Sequence, residues 1–225
     1  VRDALRDQPA TLMLTRGLTL TLTLMLMTAA LAGCFTGERP SLADDPFPPG
    51  KSSGNAAIDQ VLAELDQTNT GPYTAEYTVL TKYGNTSRAA TVAVDGERRS
   101  VTIGDVRFLI TGQTEQTCLL NTTQPCSSTI DPARVSDTQV TPTFFAVDAA
   151  KRLRRDATSI VAEPLAHSED IAGQAADCVD VPLPGGTSVF CALPGGPLAR
   201  QDDAAVSIDL RAYSTTVDEA LFATR

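Results

Sequence analysis

The chain has 225 residues, with 18 Lys and Arg against 27 Asp and Glu, a formal net charge of −9 and a sequence pI near 4.6. We expect no nucleic acid partner for so acidic a chain, because such binding depends on Lys and Arg side chains that neutralise phosphates. The single histidine, His167, excludes a multi-histidine metal site. The hydrophobic content of 42% suffices for one globular core.

The N-terminal part of the chain has the layout of a secretory signal. Arg16 precedes an uncharged apolar run from Gly17 to Gly33, and a basic residue followed by an apolar stretch that ends in small residues is typical of signal peptides. The run is short for a membrane span, which needs about 20 residues. We therefore expect residues 1–33 to be a signal peptide and the protein to be exported.

The residues Leu31-Ala32-Gly33-Cys34 end this apolar run. They resemble the lipobox of bacterial lipoproteins, and the heavy use of Arg, Ala, Thr and Asp fits an actinobacterial source. The resemblance implies cleavage between Gly33 and Cys34, a diacylglycerol on the Cys34 thiol, and anchoring at the outer face of the cell membrane. The alternative is an ordinary cleaved signal or an uncleaved anchor, in which Cys34 has no such role.

Loss of residues 1–33 removes three arginines and two aspartates, so the net charge of −9 becomes −10 in the mature chain. An anionic membrane repels such a body on average. The anchor would therefore depend on its acyl chains. Each buried methylene of such a chain contributes about 0.8 kcal/mol to the free energy of membrane binding.

The other four cysteines form an even set, which in an exported domain indicates two disulfides. The sequence alone does not choose among the pairings, but local pairing is the simplest: Cys118 with Cys126, and Cys178 with Cys191. A four-cysteine zinc site is the alternative, although the Cys-x-x-Cys spacing typical of such sites is missing.

Residues 34–55 are rich in Pro, Gly, Ser and Asp, which predicts a flexible tether after the lipidated cysteine. Residues 56–225 are predicted to form a single globular domain. Its first element is an amphipathic helix over residues 56–67, because apolar residues recur there at helical spacing. From Tyr73 the apolar period changes to two, which predicts an antiparallel meander of about five strands. These strands cover residues 73–81, 88–94, 98–103, 106–110 and a segment around 118–120.

The rest of the domain is predicted to contain one more helix and a second group of strands. Residues 127–140 are polar and are interpreted as a loop, and residues 143–157 have helical spacing of apolar residues. Further strands are predicted at 159–162, 177–183, 188–193 and 204–213. With roughly eight or nine strands and two helices, the fold class is α+β.

Charged residues offer no clear catalytic pattern. His167 lies in a polar segment, 166–170, that we interpret as an exposed loop, and the chain has no Gly-x-Ser-x-Gly motif. The acidic pairs are interpreted as solvated loop charges, because catalytic carboxylates must converge across a cleft. These pairs are Asp44-Asp45, Glu169-Asp170 and Asp202-Asp203. The sequence therefore predicts neither an enzyme nor a cofactor.

One group of basic residues has the opposite sign to the net charge of the chain: Lys151, Arg152, Arg154 and Arg155. Either it is the solvated C-terminal end of a helix, where basic residues favour the helix dipole, or it contacts lipid headgroups or a partner near the membrane.

The order of elements resembles the LolA/LppX-type lipid-carrier fold. The resemblance covers residues 56–225 and depends on that order and on Tyr73-Thr74-Ala75-Glu76-Tyr77 after the first helix. It implies a strongly curved, half-barrel-like antiparallel sheet with helices on its concave side, and a cavity that accepts acyl chains. Seven aromatic and aliphatic residues are interpreted by default as core packing, with the lining of an apolar ligand cavity as the alternative: Tyr73, Tyr77, Val79, Phe108, Ile110, Phe144 and Phe145.

Two functions follow from these patterns. The first is binding or carriage of a lipid or other apolar ligand, which requires a cavity of several hundred Å³ with aliphatic walls. The second is a non-catalytic interaction, sensing or scaffolding module at the outer face of the membrane, which fits a solid core with an exposed apolar patch.

Overall fold

The computed structural model of the chain describes residues 45–67 and 71–224. The predicted signal peptide and Cys34 lie outside the described residues. Those described contain α1 (Ala56–Leu65), α2 (Pro132–Thr138), α3 (Val147–Ala157) and a 3₁₀ helix (Glu219–Phe222). The strands are β1 (Tyr73–Thr81), β2 (Thr86–Asp95), β3 (Arg98–Ile103), β4 (Val106–Thr111), β5 (Thr114–Leu119), β6 (Leu165–Ile171), β7 (Gln174–Leu183), β8 (Gly186–Ala192), β9 (Leu198–Asp202) and β10 (Val206–Ser214).

Helix α1 begins after Asn55, whose side-chain oxygen accepts hydrogen bonds from the N–H groups of Ala57 and Ile58. This cap satisfies N–H groups that have no partner within the helix. The predicted apolar face is buried, and it consists of Ile58, Val61, Leu62 and Leu65. The predicted first helix is therefore confirmed.

All ten strands join one antiparallel sheet in the order β5-β4-β3-β2-β1-β10-β9-β8-β7-β6. Strands β1–β5 form one meander, β6–β10 form another, and β1 pairs with β10 between them, with Val79 opposite Ile208. The sheet is strongly curved and not closed, so β5 and β6 are its two edges. The predicted class, α+β with a curved antiparallel sheet, is confirmed.

The two faces of the sheet carry different elements. Helices α1 and α3 pack together on one face, called the inner face here, and α1 also contacts β7 and β8. The 3₁₀ helix lies on the opposite face, where the Ser100 hydroxyl donates a 2.6 Å hydrogen bond to the carbonyl oxygen of Leu221. The neighbouring residue Val101 belongs to the inner core, as the alternation of side chains along a strand requires.

The loop predicted at 127–140 and the strand predicted at 159–162 are wrong, and strand β9 was not predicted. Residues 127–140 were predicted to form a loop but contain α2, which Asp131 caps and Pro132 starts; only Thr138 of this short helix is buried, so it has no apolar period. Residues 159–162 form no strand, and Val161 makes one backbone hydrogen bond, to Pro182. Strand β9 was missed because Leu198 and Ala199 are both buried and the sequence does not alternate there.

The polar segment around His167 is a strand rather than a loop. Residues Leu165–Ile171 form β6, which pairs only with β7 and is exposed along most of its length. An edge strand that is exposed along most of its length has no periodic pattern of apolar residues. Its sequence is therefore typical of a loop. The pair Glu169-Asp170 lies within this strand.

Candidate ligand-binding cavities

Residues 46–54, called the N-terminal strap here, pack against the helices and belong to the same compact unit as the sheet. The sequence predicts that these residues belong to the flexible tether. The N–H group of Gly50 donates to Asp66 at 2.8 Å, and Arg154 Nε donates to the carbonyl oxygen of Lys51 at 2.8 Å. The globular unit therefore begins near Pro46, before the first helix.

Arg154 is a structural residue rather than part of a solvated helix end. It is 4% exposed, and its guanidinium forms an ion pair with Asp66 besides its bond to the strap. A buried arginine needs such partners, because leaving the charge unpaired costs several kcal/mol. This contact joins the strap, the end of α1 and α3.

A cavity of about 630 Å³, called the large cavity here, opens between α3 and the inner face of the sheet. Its walls come from the end of β1, the start of β10, the segment 139–144 and one face of α3. The apolar lining consists of Phe47, Val140, Phe144, Ala205, Val206 and Ile208. The charged lining consists of Asp148, Lys151, Arg152 and Arg155.

The charged wall follows from the helical period of α3. Residues three and four apart share one face of a helix. The four charged residues of the lining have this spacing and therefore line the cavity together: Asp148, Lys151, Arg152 and Arg155. The other face is buried and holds Ala149, Ala150, Leu153 and Arg154. The large cavity is therefore amphipathic, with charges on the α3 side and apolar groups from the start of β10, the segment 139–144 and the strap on its other walls.

Asp203 holds one of these cations in place. Arg152 Nη1 lies 2.6 Å from Asp203 Oδ2, and Gln201 Nε2 donates to the same oxygen at 2.8 Å. The other carboxylate oxygen accepts the N–H groups of Ala205 and Val206 at 2.8 and 3.0 Å. Burial opposes ionisation, but these hydrogen bonds outweigh it and lower the pKa of Asp203.

Asp203 was predicted to be a solvated loop charge, and that interpretation is wrong, because the residue is only 7% exposed. Its neighbour Asp202 is partly exposed and pairs with Lys82 at 2.7 Å.

A second cavity, of about 130 Å³, is lined in part by Phe47 and Pro49 of the strap and is called the small cavity here. Its apolar lining includes Leu65, Tyr73, Val94, Phe145 and Ala150. Phe47 and Lys151 line both cavities. Phe47 of the strap therefore borders both spaces, close to the point where the chain enters the described domain.

The residues that the sequence offered as cavity lining lie in different parts of the structure. Phe144 lines the large cavity, while Tyr73 and Phe145 line the small one. Tyr77, Val79 and Phe108 are at most 2% exposed and lie in the core, away from both linings. Ile110 is half-buried on β4 and lines neither cavity.

The structure contains two disulfides, Cys118–Cys126 and Cys178–Cys191, with S–S distances of 1.96 and 2.07 Å. These are the local pairings that the sequence favoured as the simplest. Cys178 and Cys191 are register partners on β7 and β8. His167 and Glu169 lie beside Cys178 with potential ligand atoms within 4.8 Å of one another. Since the Cys178 sulfur is bonded to another sulfur, it is not available to a metal ion.

Among the residues that the structure describes, none of the helices has both the length and the apolar character needed to cross a membrane.

No protein-family model and no curated protein matches the chain. Solved structures that resemble it include MucB, with a TM-score of 0.46 and 12% identity, over 76% of this chain and 64% of MucB. LprF from Mycobacterium bovis has a TM-score of 0.37 and 16% identity, over 72% of this chain and 94% of LprF. A LolA superfamily protein from Nitrosomonas europaea has a TM-score of 0.33 and 10% identity, over 74% of this chain and 94% of that protein. The chain thus spans less than two thirds of MucB.

Proposed function

We propose that this protein is a membrane-anchored lipoprotein of the cell envelope that binds the acyl chain of a lipid or of another amphiphile in the large cavity. One observation carries the proposal: the cavity holds about 630 Å³ between an apolar and a charged wall. This volume falls within the roughly 300–1,000 Å³ of small-molecule sites.

The apolar wall suits a hydrocarbon chain. Val206 and Ile208 come from β10, and Phe144 is fixed by edge-to-face contacts with Tyr77 and Phe145, at ring-centroid distances of 5.3 and 5.8 Å. Each methylene group transferred from water to contact with such a wall contributes about 0.8 kcal/mol to the binding free energy. A chain of several methylenes would therefore be bound without any specific polar contact to its tail.

The anchoring part of the proposal depends on Cys34 and the lipobox resemblance. Cells expressing the full chain should incorporate labelled palmitate and retain the protein in the membrane fraction. Cys34→Ala should abolish both, while Cys118→Ala, which changes a disulfide cysteine, should leave the label in place. Labelling of the Cys34→Ala variant at the level of the native chain would refute the anchor.

Ligand binding is best tested on residues 46–225. All buried apolar residues of the described core lie between Ile58 and Leu210, and both disulfides lie between Cys118 and Cys191. This fragment therefore retains the whole core. Native mass spectrometry should detect co-purified lipid or uptake of a labelled fatty acid. A clean ligand-free mass, together with no uptake of the labelled fatty acid, would refute the proposal.

Two neighbouring alanines provide a matched pair of variants. Ala205 is exposed and lines the large cavity, whereas Ala204 is exposed and does not line it. Ala205→Trp should fill the cavity and reduce uptake strongly, and Ala204→Trp should leave uptake unchanged. Equal uptake by both variants would place the ligand elsewhere.

One observation favours the second function, an interaction module. Ile160, Val161 and Leu165 are 38%, 62% and 63% exposed in and just before the edge strand β6. If the fragment binds no lipid but self-associates in sedimentation, and Leu165→Asp makes it monomeric, this surface would be the functional one.

A further inference from the structure

The most exposed aromatic residue among the large hydrophobic side chains described lies at the mouth of the large cavity. Tyr83 is 90% exposed and stands in the turn between β1 and β2, yet it contributes to the cavity lining. The turn is tight, with Gly84 and Asn85 at φ values of 83° and 48°. Core packing does not account for an aromatic ring held in this position. Tyrosine rings are enriched where an apolar phase meets water, at the headgroup level of membranes.

The opposite side of the mouth presents cations with their acidic partners behind them. The Arg152 side chain is 31% exposed against 7% for Asp203, and the Arg155 side chain is 57% exposed against 11% for Asp156. Lys151 lines the same mouth. The guanidinium groups of Arg152 and Arg155 are therefore more exposed to solvent at this mouth than the carboxylates with which they pair, although the whole chain carries −9.

The other charged residues at the mouth do not give it an excess of acidic groups. Asp148 lines the cavity, and one of its carboxylate oxygens accepts a 3.0 Å hydrogen bond from the Thr143 hydroxyl. Lys82 and Asp202 are similarly exposed, at 39% and 44%, and form an ion pair that adds no net charge. Lys151, Arg152 and Arg155 thus outnumber the one acidic residue in the lining.

The chain also enters the described domain at this mouth, because Phe47 lines the large cavity and follows Pro46 directly. Cys34 precedes Pro46 by so few residues that the covalent chain between them can span no more than about 40 Å. Any anchor at Cys34 would therefore keep the mouth within that distance of the bilayer.

We propose that the mouth of the large cavity is a membrane-docking surface, on which Tyr83 enters the headgroup layer while Lys151 and Arg155 contact the phosphates of an anionic bilayer. This arrangement would let an acyl chain move between bilayer and cavity without crossing bulk water. Only that last step depends on the proposed ligand binding; docking itself does not.

Fluorescence tests the orientation, because the chain contains no Trp. Tyr83→Trp in the 46–225 fragment gives a single tryptophan, which can be excited selectively, at the mouth. Leu165→Trp gives a control fluorophore on the edge strand β6, where the native side chain is 63% exposed. With vesicles of phosphatidylcholine and phosphatidylglycerol, the emission of Tyr83→Trp should shift to the blue and be quenched by brominated lipids, while Leu165→Trp should not respond. Equal responses, or no response from Tyr83→Trp, would overturn the proposal.

Two double variants distinguish the effect of basic residues at the mouth from the effect of the net charge of the chain. Lys151→Gln with Arg155→Gln should lower vesicle affinity by about fivefold for each basic residue removed. Arg134→Gln with Arg211→Gln removes the same charge away from the large cavity, and should change the affinity little. Equal losses in the two double variants would overturn the proposal.

Fatty acid uptake and vesicle binding, measured separately on the native fragment, distinguish ligand binding from docking. If the native fragment takes up fatty acid but does not bind anionic vesicles, docking fails while the proposed function stands.

Discussion

The hydroxyl group of Tyr77 on β1 donates a 2.9 Å hydrogen bond to the backbone carbonyl oxygen of Leu198 at the start of β9. Strand β10 lies between these two strands, so the ring reaches past its neighbour to the other half of the sheet. The N–H group of Leu198 in turn donates to the carbonyl oxygen of Phe145 at 2.7 Å. One buried tyrosine thus connects both meanders with the segment that precedes α3.

Tyr77→Phe should test this connection. Burial raises the pKa of the Tyr77 hydroxyl well above its usual range, so the group stays a donor at physiological pH. Its removal would leave the Leu198 carbonyl without this partner in the core, at a cost of about 1–3 kcal/mol of unfolding free energy. Urea unfolding of the fragment measures the loss. Tyr83→Phe is the control, since a 90% exposed residue should change stability by less than about 0.5 kcal/mol. Equal effects would contradict the interpretation.

Asp203→Asn should destabilise the domain in a pH-dependent way. At pH 7 we expect a loss of about 2–3 kcal/mol, because the carboxylate that pairs with Arg152 is lost. The folded-state pKa of Asp203 lies below its usual value of 3.8. The stabilisation is therefore complete above the unfolded-state pKa and disappears as the pH falls through the folded-state pKa. Native and variant stabilities should converge in acid.

The neighbouring residue offers the control for this experiment. Asp202 forms a half-exposed ion pair with Lys82, and such pairs contribute at most about 1 kcal/mol. If Asp202→Asn cost as much as Asp203→Asn at pH 7, burial would not be the cause of the effect.

Asp156→Asn should have the opposite sign. Burial raises the pKa of Asp156, and the attraction of Arg155 only partly compensates. The charged form is thus disfavoured in the folded state, and a neutral side chain of the same shape should stabilise the domain at pH 7. The gain should be complete above the raised folded-state pKa and disappear as the pH falls through the unfolded-state pKa, because the carboxyl is then neutral in both states. Stability curves at pH 7 and in acid compare the two chains, and a destabilised variant at pH 7 would contradict the prediction.

The success of the sequence predictions depended on how local each signal was. Strand β1 was predicted with the bounds that the structure has, because apolar residues occupy alternate positions from Tyr73 to Val79. Arg154 and Asp203 were misinterpreted because their burial depends on partners far along the chain: Asp66 lies 88 positions from Arg154, and Arg152 lies 51 from Asp203. The aromatic residues were identified as apolar, but the spacing of apolar residues does not distinguish a cavity wall, such as Phe144, from the closed core around Tyr77.

Gly196→Ala should be destabilising because of a close approach between two segments. Gly196 has a φ of +114°, and a Cβ atom there would lie 2.9 Å from the backbone oxygen of Gln67, just after α1. Both the backbone conformation and the contact disfavour a side chain, at a cost of about 1–3 kcal/mol. The control is Gly185→Ala, where a Cβ would meet nothing within 4 Å and φ lies outside the left-handed region. That change should be neutral or slightly stabilising, because it reduces the entropy of the unfolded chain. Thermal unfolding of the two variants decides the matter, since equal melting temperatures would show that the turn can move away from α1 without cost.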